Sequence, residues 1–247
     1  MEFYENLADR YDLMTRFDQR IVKDGNVLRA WVEKYGIKSA IDVACGTGLH
    51  SILLAKMGVQ TVGTDISKPM LDRARENAVR QDVVVDFRQV SMEHLGESVD
   101  QRFDALFCLG NSLPHILNES DLDKVAKSFS DCLVSGGIAV IQLLNYHRVL
   151  ENKKRLVGIH KVGTTEFVRY YDFFPEYLRF NILMIDSQNG TQLREIESTT
   201  LYPYTKAELE PHLLGSGFRS IEYYGDMKFT PYDPESSTDL VISARKI

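Results

Sequence analysis

The residues best placed to do chemistry lie in one run, Ala40-Ile41-Asp42-Val43-Ala44-Cys45-Gly46-Thr47-Gly48-Leu49-His50, where an apolar strand, a glycine turn and a helix start follow one another. Gly46 and Gly48 supply the first two glycines of the dinucleotide pattern G-x-G-x-x-G, but Ser51 stands where the third belongs. Two carboxylates frame the turn: Asp42 just before it, and Asp65 after the next apolar run, residues 59–64. That spacing puts Asp65 at the tip of the neighbouring parallel strand, within reach of a ribose diol. The run therefore reads as a nucleotide cradle; the plainer alternative is a tight strand-to-helix connection and nothing more.

A second polar constellation follows the fourth apolar run: Cys108-Leu109-Gly110-Asn111-Ser112-Leu113-Pro114-His115-Ile116. Ligands in open α/β sheets bind beyond the carboxyl ends of the strands, so polar groups here face the reactive end of a bound nucleotide. His115 could be a general base or a loop histidine bonded to backbone. The six histidines, at 50, 94, 115, 147, 160 and 212, show no metal-ligand spacing, and no metal is expected. Cys45, Cys108 and Cys132 sit in or beside apolar runs and read as reduced thiols in the core or near the site.

These residues need a scaffold, and the chain writes one. Strand patterns at residues 39–43, 59–64, 83–89, 105–109 and 138–144 alternate with helical patterns at 26–35, 49–56, 68–80 and 121–133, which predicts a parallel sheet with helices on both faces. Ser67-Lys68-Pro69 is a helix start, with Ser67 as N-cap and proline in the first turn. Ser135-Gly136-Gly137 is expected to end the helix before strand five, with Gly136 as a left-handed cap. From about residue 164 the pattern changes to three antiparallel strands, 166–174, 177–186 and 192–202, the last two joined by the turn Ser187-Gln188-Asn189-Gly190. A helix at 206–214, capped by Thr205, and strands 219–224 and 239–244 complete the sheet. At the other end, Tyr4, Leu7, Ala8, Tyr11 and Met14 recur at helical spacing.

Composition narrows the partners. With 29 basic and 35 acidic residues the net charge is −6, and the longest basic run, Lys153-Lys154-Arg155, is three residues long. Nucleic-acid backbones want a basic face, so no nucleic-acid partner is expected. The acidic start and the lack of any apolar run near twenty residues predict no signal peptide, no membrane association and a cytoplasmic location.

The D-V-A-C-G-T-G core, Asp42 to Gly48, resembles the class I S-adenosylmethionine-dependent methyltransferases. Asp42 fits that likeness, because a carboxylate there would repel a diphosphate and suits a cofactor bearing a sulfonium and an amine. The resemblance implies an α/β fold: a Rossmann-like seven-stranded mixed sheet flanked by helices, with an antiparallel β insertion after strand five. Residues 1–155 would form an N-terminal lid helix and the cofactor-binding core, 156–204 a substrate cap, and 205–247 the remainder of the core. The implied cofactor is S-adenosyl-L-methionine, touched by Tyr11, Asp42, Ala44, Gly46, Thr47, Gly48, His50, Asp65, Ile66, Met70, Ser91, Met92, Leu109 and Gly110. Arg20 or Lys23 would pair with its carboxylate.

The likeness narrows further to the glycine and glycine/sarcosine N-methyltransferases, through C-L-G-N-S-x-x-H at Cys108 to His115, Asn145-Tyr146 in place of the middle of R-N-Y-D, and Gly225-Asp226-Met227-Lys228 beside their G-D-F-K. It implies catalytic roles for Tyr11, Asn111, His115 and Asn145, with Asn111, His115, Asn145 and Tyr146 also lining the acceptor site. A substrate carboxylate would need a cation, and Arg169, Arg179 and Arg194, one on each insertion strand, are candidates. The insertion aromatics Phe167, Tyr170, Tyr171, Phe173, Phe174, Tyr177 and Phe180 could wall a small amine or form an ordinary core. The chain departs from the family where Leu144 replaces the arginine and His147 the aspartate of R-N-Y-D, and where 90–92 lacks the tryptophan some relatives place against adenine. The expected partner is a small molecule, most simply an amine such as glycine or sarcosine, and the resemblance implies a homo-oligomer. Competing readings are a methyltransferase for a larger amine or hydroxyl, a non-catalytic cofactor-binding protein, and a dinucleotide-dependent oxidoreductase.

Overall fold

The computed structural model describes residues 2–188 and 191–247, except for the side chains of residues 2, 98 and 188. In chain order, α1 (Glu2–Thr15) and α2 (Phe17–Tyr35) precede β1 (Ser39–Val43), α3 (Leu49–Lys56), β2 (Gln60–Asp65), α4 (Lys68–Arg80) and β3 (Asp86–Gln89). Then come α5 (Leu95–Ser98), β4 (Phe103–Cys108), α6 (Glu119–Asp131), β5 (Leu133–Leu144) and α7 (Tyr146–Asn152). Four strands follow, β6 (Leu156–Val162), β7 (Thr165–Phe173), β8 (Leu178–Gln188) and β9 (Thr191–Leu201), and the chain closes with α8 (Lys206–Gly215), β10 (Phe218–Tyr224) and β11 (Asp239–Lys246).

The main sheet runs β10-β11-β5-β4-β1-β2-β3, with β11 antiparallel to both its neighbours and the central strands parallel. This is the seven-stranded mixed sheet that the motif resemblance implies. Its middle strands are covered on both faces, so β1 and β4 are almost wholly buried and read as continuous apolar runs. One face packs on α2, α3 and α4 through residues such as Trp31, Ile52, Leu54 and Phe107; the other packs on α6 and α8 through Leu106, Phe129, Ile141 and Leu213. The helix starts follow their caps: Ser67 Oγ accepts the Met70 N–H, Asn118 accepts from Asp121, and Thr205 and Glu208 form a capping box.

The second sheet, β6-β7-β8-β9, is antiparallel throughout. It holds four strands where the sequence pattern predicts three, because the edge strand β6 is mostly exposed and carries no apolar alternation to read. The turn pair Asn189-Gly190 lies outside the described residues. On its inner face α1 lies against this sheet, with Phe3, Leu7 and Met14 packed on Phe167, Ile182 and Met184. Several insertion aromatics are spent on packing: Phe167 and Tyr171 are buried, and Phe180 touches both α1 and the main core, whereas Phe174 is exposed.

Three further departures have local causes. Gly136 does not cap a helix; α6 stops at Asp131, and Gly136, at φ 81°, lies inside β5 where the pairing with β4 shifts register. The polar stretch after β3 forms a short helical turn, Met92–His94, running into α5. The helix α7 is begun by Asn145, whose side chain accepts the Arg148 N–H.

Close approach sets the layer spacing beside the glycine turn. Gly63 in β2 has no room for a side chain: a Cβ there would stand 2.7 Å from the Phe87 ring and 2.8 Å from Ser51 Oγ. Gly63→Ala is expected to cost about 1–3 kcal/mol through overpacking. Urea unfolding checks this, with the midpoint lowered and the slope unchanged.

Candidate active site

The carboxyl ends of β1, β2 and β4 open into one cavity, with about 1110 Å³ of empty space counted to its open mouth. Its floor is the turn after β1, where Ala44, Cys45, Gly46 and Thr47 all face the space. Gly48 stands behind them at φ 84°, and a Cβ there would meet Ala74 and the Phe87 ring at 3.0 Å, so glycine is what lets α3 start this close to α4 and β3. Ala44 is also left-handed, at φ 54°.

Asp65 joins this turn to the next. One carboxylate oxygen accepts the Gly46 N–H at 2.8 Å and the other the Ser67 N–H at 2.9 Å. Burial raises its pKa, and the backbone donors hold it down. An ionised carboxylate has about four acceptor positions, so the two bonds leave lone pairs for the hydroxyls of a ribose. Ile66, Met70, Ser91 and Met92 line the space beside it and supply apolar and polar edges for a base.

Past the turn the wall changes character. Arg20, Tyr11, Thr15 and His50 line it, and Arg20 is bonded to Asp24 at 3.0 Å and lies 3.4 Å from the His50 ring. Burial and the Arg20 charge lower the His50 pKa to about 3, so this imidazole is neutral. Lys23 does not reach the cavity. At the far end the Tyr4 hydroxyl and His115 Nε2 are 2.8 Å apart, beside Ser112, Leu109, Gly110 and Ile116. Burial pushes the His115 pKa down to about 4. Among the described residues lining the cavity, Arg20 is the one lysine or arginine.

Several expected residues stand behind this wall. Asp42 is buried under the turn, where it accepts the Ser51 hydroxyl at 2.6 Å. Asn111, at φ 67°, turns back to bond the Leu144 N–H and the Tyr146 hydroxyl, and Tyr146 is buried with it. Asn145 is consumed at the β5–α7 corner: its amide donates to the Pro234 and Ser237 carbonyls and its oxygen accepts from Tyr232. None of Asp42, Gly48, Asn111, Asn145 or Tyr146 lines the cavity. The insertion arginines also lie outside it. Arg194 is exposed on Gln192, Arg179 sits on a shelf with Ser198, Thr199 and Thr200, and Arg169 lines a neighbouring cleft. His147 is on the surface, 3.0 Å from Glu235 and 3.8 Å from Glu151.

Tyr4 is the main residue missed as a site candidate. Its signal was present, since residues 4 and 11 are two helical turns apart and share a face. Ser112 stands inside the C-L-G-N-S-x-x-H run, whereas Glu93 and Phe17 carried no comparable pattern.

Residues 40–137 match the model of a methyltransferase domain. The chain is 35% identical over 150 residues to a glycine/sarcosine N-methyltransferase of Parasynechococcus marenigrum, a stretch covering 61% of this chain and about half, 53%, of that relative. It is 29% identical over 242 residues to the glycine/sarcosine N-methyltransferase of Aphanothece halophytica, covering 95% and 87% of the two chains. It is also 31% identical over 214 residues to a ubiquinone biosynthesis O-methyltransferase of Pseudomonas paraeruginosa, covering 82% and 87%. The fold matches the crystal structure of an S-adenosylmethionine-dependent methyltransferase from Clostridium acetobutylicum with a TM-score of 0.83 at 18% identity, over 98% of each chain.

The buried Asp42 gives a stability signature. Burial raises its pKa to about 7, against the pull of the Ser51 bonds. Between the ordinary carboxylate value, 3.8, and about 7 the folded protein then holds a proton that the unfolded chain has lost, so this group makes stability fall as pH rises through that window and level off above it. Asp42→Asn should remove that slope, a difference on the order of a few kcal/mol across the window. Unfolding midpoints of both proteins from pH 4 to 8 check it.

Proposed function

The chain belongs to the class I S-adenosylmethionine-dependent methyltransferases, and from that premise we propose that it methylates the nitrogen of a small amine, with glycine, sarcosine and related amino acids as the first candidates. The observation that carries the proposal is the far end of the cavity, where the Tyr4 hydroxyl and a neutral His115 face a space with no side-chain cation. The glycine/sarcosine N-methyltransferase names of two relatives support it.

The residues present fit S-adenosylmethionine. Asp65 has free acceptor positions for ribose hydroxyls, Ile66, Met70 and Met92 for the base, and Arg20 a guanidinium for a carboxylate. When bound, the cofactor supplies a methyl group on a positively charged sulfur that an uncharged amine displaces in line. The chain's own part is alignment, which in well-oriented pairs lowers a barrier by roughly 7–11 kcal/mol. Tyr4 and His115 are bonded to each other, so the acceptor left for an amine hydrogen is a Tyr4 oxygen lone pair, which holds the nitrogen in one direction. His115, already neutral, does not add a positive charge beside the acceptor.

A second reading has its own observation. A polar shelf lined by Phe3, Leu117, Arg179 and Thr199 meets the cavity at His115, so an acceptor longer than glycine could lie across it. A larger amine or a hydroxyl compound fits this path, and the O-methyltransferase relative supports it.

Two measurements test these readings. Asp65→Ala should weaken S-adenosylhomocysteine binding by roughly 10- to 150-fold in calorimetry, the worth of a charged hydrogen bond. Turnover over a panel of glycine, sarcosine, amino sugars and phenols identifies the acceptor; cofactor binding with no amine methylated sinks the amine reading. For an amine, kcat/KM should rise with pH as the acceptor loses its proton, without an inflection near 6.5 from His115. His115→Asn should then cost roughly tenfold, whereas a hydroxyl acceptor relying on it as base would lose about 10²–10⁴.

A further inference from the structure

Beside the cofactor cavity lies a second cleft, lined by Met14, Thr15, Arg16, Arg20, Ile159, His160 and Arg169, that shares Thr15 and Arg20 with it. Three guanidinium groups and an imidazole converge here from three elements: the α1–α2 junction, β6 and β7. The register explains the convergence. His160 pairs with Phe167 and Gly158 with Arg169, so both polar side chains rise from the sheet face that carries α1, just beyond its apolar contacts. The missing side chain of Gly158 leaves space for the Arg169 guanidinium, whose Nη2 would stand 3.5 Å from a Cβ placed there.

The cluster lacks counter-charge. No carboxylate lines the cleft, and among the described residues neither Arg16 nor Arg169 forms an ion pair; Arg20 alone has one, with Asp24. Two polar atoms are buried without a partner, Arg169 Nε and His160 Nε2. Arg16 also begins α2 in the left-handed conformation with no side-chain cap, at the positive end of the helix dipole. Gathering unpaired like charges at a half-buried site is unfavourable, and an anion removes both the repulsion and the unmet donors.

We propose that this cleft is an oxyanion-binding site, in which Arg16 and Arg169 hold a carboxylate or phosphate next to the methyl-transfer cavity, with Arg20 at its inner edge turned to the cofactor. The site stands on its own geometry and does not depend on which acceptor is methylated. Its oxyanion has two sources: a group carried by the acceptor itself, reaching past Thr15, or a free anion that acts on the enzyme from beside the cofactor.

The test titrates inorganic phosphate, and separately acetate, into the full chain saturated with S-adenosylhomocysteine. Saturable binding is expected, weakened at least tenfold by Arg16→Gln and by Arg169→Gln, as loss of a charge-assisted hydrogen bond requires. Arg169→Lys should recover part of the affinity, and Arg194→Gln, on the exposed edge of the same sheet, should leave it unchanged. Circular dichroism and intact S-adenosylhomocysteine binding establish that the variants fold, so the result is independent of any failure of the acceptor assignment. Phosphate that raises the acceptor KM without changing kcat identifies the acceptor's own oxyanion; phosphate that changes kcat at saturating acceptor identifies a separate anion. No saturable binding up to about 50 mM, a level below roughly 2 kcal/mol of affinity, overturns the proposal. So does binding that both Arg→Gln variants retain in full.

Discussion

One carboxylate holds the site together. Asp65 reaches across from the end of β2 to the turn after β1 and back to the start of α4, accepting one backbone N–H from each. The two turns at the floor of the cavity are thereby set at a fixed distance. Preorganisation of this kind matters for a methyl transfer, because the protein contributes position far more than it contributes acid or base. The neighbouring contacts serve the same end. Gly48 and Gly63 let the layers close to contact distance, and the buried Asp42–Ser51 bond supports the turn from beneath.

Around that fixed floor the remaining walls come from elements remote in sequence. Tyr4 and Tyr11 are on α1, which does not pack on the main sheet over the cavity but on the inner face of the insertion. Among the described residues, none of the insertion lines the cavity. The insertion acts through the helix it carries, against which Phe167 and Phe180 pack. The far end of the cavity is thus built by a helix held from outside, with the Tyr4–His115 bond as its tie to the loop after β4.

The fold was largely legible because its signals are local. Continuous apolar strands, Ser67 with Pro69, and the Gly46–Gly48 turn each declare an element within a few residues. The strand β6 was not legible, since an exposed edge has no pattern to offer. The cavity floor could be read for the same reason as the fold: Asp65, Ile66, Met70 and Met92, which line it, follow directly from strand ends. Its far end could not. Asn111 and Asn145 look like site residues in sequence, yet which way a loop amide turns depends on unmet backbone groups around it, here Leu144 N–H and the Pro234 and Ser237 carbonyls. Those partners are decided by tertiary contact. The cationic cleft is illegible for a like reason, as Arg16 and Arg169 meet only when α1 lies on the insertion sheet.

The seating of α1 also has a consequence for the order in which the protein is made. The helix is translated ahead of its apolar partners Phe167, Ile182 and Met184, which follow more than 150 residues later. At about 5–20 residues per second that is a delay on the order of 10–30 s. A helix of 14 residues is marginal alone in water, so for that interval its apolar face lacks the sheet it packs on, and it has only contacts such as Asp12 with Asn77 of α4. A helix made early thus becomes the last wall of the cavity to settle, well after the glycine turn beneath it.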